Sequence, residues 1–155
     1  MTYCSNGVCH VCYLFVGAHT IGITHCNLVK DRLYNFNNVN GASDPNMEPN
    51  LREELKRKCP RSPSSDAIPV DLDQGLPKNF IDDKYFGQLT SKRGILQIDQ
   101  DLATHKPTNV TVDRISKGLE DFASEFGKAM VKLGEVEVLT GLQGQIRRSC
   151  RFVNK

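Results

Sequence analysis

Gly17-Ala18-His19-Thr20-Ile21-Gly22, then Cys26, then Asp31-Arg32-Leu33-Tyr34-Asn35-Phe36, is the stretch on which the reading of this chain turns. A histidine between a small residue and a hydroxyl residue, flanked by glycines, lets backbone approach a flat or bulky partner closely. Neutral imidazole is also the commonest metal ligand among side chains. On its own the pattern is more often that of a core histidine satisfied by its neighbours than that of a ligand.

Further segments follow in a fixed order: Cys59-Pro60, Asp71-Leu72-Asp73, Asp82-Asp83-Lys84-Tyr85-Phe86, Arg93-Gly94-Ile95-Leu96, Asp99-Gln100, Phe126-Gly127-Lys128-Ala129-Met130, and Leu139-Thr140-Gly141 leading to Cys150-Arg151. Together with the opening stretch, this series resembles the class III family of secreted plant haem peroxidases. The resemblance runs from about residue 17 to residue 155 and covers the proximal half of such a domain. Residues 1–16 read as an unrelated leader, and the distal half reads as missing. The resemblance implies an all-α fold, the proximal half of the haem-peroxidase helical fold, with long irregular loops.

Composition agrees with a globular chain. At 155 residues, 25% charged and 39% hydrophobic, it can bury one core and is neither disordered nor membrane-spanning. A net charge of +2 gives no reason to expect nucleic acid or an anionic membrane as partner. The densest basic cluster, Lys56-Arg57-Lys58 with Arg61, reads as the solvated end of a helix. Six cysteines suggest an oxidising compartment, and Asn109-Val110-Thr111 is a glycosylation sequon. No segment has the pattern of a signal peptide: Val8–Val16 is interrupted by Cys9, His10 and Cys12. Cys9 and Cys12 form half of a zinc motif, for which His19, His25 and Cys26 would be the remaining candidates without a recognisable spacing. Haem attachment of the C-x-x-C-H type fails, because Tyr13 follows Cys12.

Apolar spacing predicts a helix over about 24–34 and a loop over 37–49. A short helix is expected to start at Asn50, with Glu53 placed as in a capping box. Residues 61–79 read as one long irregular segment carrying Asp66, Asp71 and Asp73, of a length that is usually functional or held by something. A helix over about 82–91 would turn Tyr85, Phe86 and Leu89 inward and stop at Gly94. Val112, Ile115, Leu119, Phe122, Phe126, Met130 and Leu133 recur every three or four residues, which predicts one amphipathic helix of about six turns with a core-facing stripe.

The resemblance assigns chemistry to particular residues. His19 would be the axial ligand of the iron of haem b through Nε2, and Asp99 the carboxylate that accepts its Nδ1–H. Such a partner makes the imidazole more electron-donating and lowers the iron's reduction potential. Without the resemblance, Asp99 would read as a helix-cap or turn aspartate. Thr20, Asp73 and Asp82 match a calcium site built on hard oxygen ligands. Leu76 stands where the family has Thr or Ser, and one extra residue lies between Pro77 and Asp82. Cys26 and Cys59 match a family disulfide, while Cys150 matches a family cysteine whose partner lies in the missing half.

As a family member the chain would use hydrogen peroxide to oxidise phenolic donors, as a secreted monomer. Heterolysis of peroxide needs a distal base and a distal cation, and no segment here resembles the family's distal motif; His10 and His105 sit in other contexts. The alternatives are a non-catalytic fragment that binds haem or calcium, and a small zinc domain. Half a domain is also expected to expose apolar surface that would otherwise be packed.

Overall fold

The computed structural model describes residues 15–75 and 80–155. Most of the expected leader, with Cys4, Cys9, His10 and Cys12, lies outside the described residues, as does Leu76.

A 3-10 turn, Ala18–Thr20, leads through a short strand β1 (Ile23–His25) into helix α1 (Cys26–Tyr34). Strand β1 pairs antiparallel with β2 (Pro69–Asp71), Thr24 opposite Val70. The irregular segment is therefore held, through this pairing and through its own carbonyls. Its carbonyls at Ile68 and Asp66 accept from the N–H groups of Cys26 and Asn27, two donors that the first turn of a helix leaves free. The expected helix over 24–34 thus begins two residues later, because Thr24 and His25 are spent on the sheet. Three-residue strands are too short to show a period of two, and Pro69, which brings no N–H, still fits a two-stranded edge.

Helix α2 (Pro49–Lys58) is capped by Glu48, whose carboxylate accepts from the N–H groups of Asn50 and Leu51, both at 2.8 Å. The capping box expected at Asn50 and Glu53 is not the one used. Proline at the first helical position already has the helical φ and needs no partner for an N–H, so the cap falls one residue before it. Lys56, Arg57 and Lys58 occupy the last turn, as expected of a solvated helix end. The Cys26–Cys59 disulfide joins the start of α1 to the end of α2, with Cα atoms 5.3 Å apart. A loop of this size is worth about 3–4 kcal/mol in the chain-entropy model. Val29, Leu33, Leu51, Leu55 and Ile95 pack around it as a first core.

The second half is a set of short helices: α3 (Lys84–Thr90), α4 (Gln97–Thr104), α5 (Lys106–Ser116) and α6 (Phe122–Gly134). Tyr85, Phe86 and Leu89 are buried as expected and form a second core with Val112, Ile115 and Phe122. Helix α3 stops at Thr90, and the left-handed residue after it is Lys92 at φ 61°, not Gly94. Gly94 serves another purpose: a Cβ there would lie 3.0 Å from Leu89 and 3.1 Å from the backbone nitrogen of Gln100.

The single six-turn helix expected over 112–133 is two helices. Gly118 at φ +66° lets its own N–H reach Ile115 O (2.9 Å) while that of Leu119 reaches Arg114 O (2.9 Å), a Schellman stop. Asp121 then caps α6 through the N–H of Ser124. The apolar spacing ran across this break by coincidence, and Leu119 is exposed. The stripe on α6 is also only half core: Phe122 is buried and Phe126 partly so, while Met130 and Leu133 are exposed.

Candidate functional site

His19 sits in the 3-10 turn between two anchors. Before it, Gly17 lies on the aromatic core: a Cβ there would stand 2.6 Å from Phe122 and 2.8 Å from Phe86. Phe86 and Phe122 meet edge to face at 4.7 Å, so only glycine lets the backbone rest on them. After it, Thr20 is fully buried and its hydroxyl donates to Phe80 O at 3.1 Å. Gly22, at φ +95° with open space around it, turns the chain into β1. The two glycines of the opening stretch therefore do different work, close approach at one and a left-handed backbone at the other.

The carboxylate expected to meet His19 does so. Asp99 Oδ1 lies 2.7 Å from His19 Nδ1, across 80 residues of sequence. Asp99 is fully buried, whereas the His19 side chain is 33% exposed, so the pair points from the interior towards an open side. The aspartate lies in the first turn of α4, where the helix dipole favours a negative charge. Its side chain caps nothing; it is spent on the histidine. The hydrogen bond to Asp99 raises the His19 pKa above 6.5, with burial working against it.

Helix α4 is held in place by two side chains, Arg32 and Gln100, to which the sequence motifs assign no role of their own. Arg32, 3% exposed, donates from Nη1 to the carbonyls of Gly94 and Ile95, both at 2.7 Å, and from Nε to Asp44 at 2.9 Å. Gln100 donates to Leu89 O at 2.9 Å and accepts from the N–H of Gly94 at 3.2 Å. These bonds fix the turn ahead of α4 against α1 and α3, and with it the residue next to Gln100, Asp99. One signal for Arg32 was present: it follows Val29 by three and precedes Leu33, so it lies on the apolar side of its helix.

Of the other expected site residues, Asp73 and Asp82 each accept hydrogen bonds from groups on their own side of the fold. Asp73 Oδ1 accepts from the N–H of Gly75 at 2.7 Å and from the side-chain amide of Gln88. Asp82 accepts from the N–H of Lys84 at 3.0 Å. Among the described residues, no group of three or more His, Cys, Asp or Glu is disposed to hold a metal ion. Cys26 is taken by the disulfide, which removes one candidate from the zinc alternative. Cys150 is a free, exposed thiol. No helix of the described residues is long and apolar enough to cross a membrane.

Comparison with known proteins agrees with this geometry. The family model described as Peroxidase matches residues 10–118. Peroxidase 60 of Arabidopsis thaliana is 47% identical over 140 residues, which cover 89% of this chain and 41% of that protein. Peroxidase N1 of Nicotiana tabacum is 41% identical over 142 residues, covering 89% and 42%. A peroxidase of Armoracia rusticana is 36% identical over 141 residues, again 89% and 42%. The chain spans about two fifths of the length of these curated relatives. A family match over most of its length, relatives of one kind in three plants, and a mostly helical fold that carries the expected histidine and carboxylate together make this chain a member of the peroxidase family, among the class III plant peroxidases.

Proposed function

We propose that this chain supplies the histidine-bearing side of a haem peroxidase that oxidises small phenolic donors with hydrogen peroxide, each peroxide taking one electron from each of two donors. The observation that carries the proposal is the His19–Asp99 pair, a buried carboxylate 2.7 Å from Nδ1 of a partly exposed histidine.

The donor set fits haem b. Among the described residues His19 makes this one side-chain hydrogen bond, through Nδ1, so the lone pair of Nε2 is left for iron. When bound, the haem supplies the redox-active iron at which peroxide is reduced. Asp99 fixes the tautomer by accepting Nδ1–H, orients the ring and draws the proton away from it, which makes Nε2 a stronger donor. Gly17 and Thr20 hold the backbone on both sides of His19, so the ring has one direction in which to present Nε2.

Thr20, Asp73 and Asp82 would supply oxygen ligands to a calcium ion. The hydroxyl of Thr20 bonded to Phe80 O supports this, since it brings the neighbour of His19 against the loop that carries Asp82. An ion there would stiffen the backbone of the haem ligand. The disulfide and the kinship with class III peroxidases favour secretion as the setting.

The test is phenol oxidation by the haem-loaded full chain, with free haem and His19→Ala as references. Peroxide-dependent turnover above free haem, lost in His19→Ala, is the expected result. Stoichiometric haem binding with turnover no faster than free haem would overturn the catalytic reading and leave a haem-binding chain.

A further inference from the structure

Two buried polar atoms have no hydrogen-bond partner among the described residues: Oδ2 of Asp99, the oxygen that His19 does not use, and the hydroxyl of Tyr85. Asp99 is 0% exposed and Tyr85 1%. The first atom is an acceptor and the second carries a donor, and buried groups of this kind are rarely left unmet. After burial, the Asp99 carboxylate is the strongest influence holding the proton on the Tyr85 phenol, whose pKa is pushed well above its ordinary value of 10.0. Tyr85 is thus a neutral donor at any working pH.

Packing gives no account of the hydroxyl. The ring of Tyr85 meets Phe86 edge to face at 5.9 Å, a contact that phenylalanine would make equally well. Gln100 ties α4 to the end of α3 at Leu89 O, which keeps Asp99 from withdrawing from the helix that bears Tyr85.

We propose that Tyr85 is a positioning residue for the His19–Asp99 pair, its hydroxyl donating to Oδ2 of Asp99 while Oδ1 serves His19. The inference rests on the reading of His19 as the axial ligand. A carboxylate shared between two donors is fixed in orientation and is a weaker acceptor on Oδ1 than one with a single donor. Tyr85 therefore restrains the pull of Asp99 on Nδ1–H and sets how electron-rich Nε2 becomes. The aspartate strengthens the ligand, and the tyrosine limits by how much.

The test is Tyr85→Phe in the full chain, read in two ways. Without haem, the proton NMR resonance of His19 Nδ1–H is expected to move downfield as its hydrogen bond to the freed carboxylate strengthens. With haem and reduced iron, the iron–histidine stretching frequency is expected to rise. Incorporation of 3-fluorotyrosine, a stronger donor than tyrosine, is expected to move both readouts the opposite way and keeps the test independent of how the phenylalanine variant folds. Unchanged Nδ1–H and iron–histidine signals in both proteins would overturn the proposal. A shift in Nδ1–H in a chain that fails to coordinate haem through His19 would leave the hydrogen bond standing and remove the axial-ligand reading instead.

Discussion

Arg32 offers the sharpest test of how the site is held. Truncation to alanine removes three well-aligned hydrogen bonds from a side chain 3% exposed: one to Asp44 and one each to the carbonyls of Gly94 and Ile95. Nη2 also lies 2.8 Å from the same Asp44 oxygen, but it is poorly aimed and adds charge more than a bond. What remains is a carboxylate 2% exposed, supported among the described residues by the N–H of Asn46 at 2.8 Å. Breaking a buried pair from one side costs about 3–5 kcal/mol, and the two stranded carbonyls put this case at the upper end. That is a large part of the 5–15 kcal/mol typical of a domain. Urea unfolding followed by circular dichroism measures the loss. Replacing both partners, Arg32→Met with Asp44→Leu, removes the uncompensated charge and is expected to recover part of it. A loss below about 1 kcal/mol for Arg32→Ala would put the pair in the class of surface ion pairs and refute the claim that it anchors the turn ahead of Asp99.

Gly17→Ala is expected to lower the melting temperature by overpacking against Phe122 and Phe86, at a cost of about 1–3 kcal/mol; Gly127→Ala, in α6 with open space around it, is expected to be neutral or to stabilise by up to about 1 kcal/mol, and equal effects at the two sites would contradict the packing described. Glu48 has its pKa lowered below 4.5 by the N–H groups of Asn50 and Leu51 that it caps. Its contribution is present above the ordinary carboxylate value and is lost as pH falls through the lowered one, so melting temperature against pH should fall less steeply on the acid side in Glu48→Gln; parallel curves would show that the cap's charge does nothing.

The sequence carried the site better than it carried the helices. His19 and Asp99 were legible through the order of the motifs around them, although no local pattern links residues 80 positions apart. The helix face of Tyr85, Phe86 and Leu89 was legible because burial follows helical spacing. The break at Gly118 was not, since Leu119 happened to continue the apolar period through a Schellman stop and then proved exposed. The two strands escaped notice because their register depends on residues more than 40 apart and each is too short to alternate visibly. Arg32 and Gln100 look like ordinary polar residues of a helix in the sequence. Their weight comes from carbonyls at Leu89, Gly94 and Ile95 that only the fold brings to them.

The central claim is that His19, oriented by Asp99, presents Nε2 to haem iron. It is tested most directly by titrating the full chain with haem and following the Soret band in wild type and His19→Ala side by side. Saturation at one haem per chain in the wild type, with that binding lost in His19→Ala, is the expected result. Binding of equal strength and spectrum in the two proteins, or none that depends on His19, would contradict it.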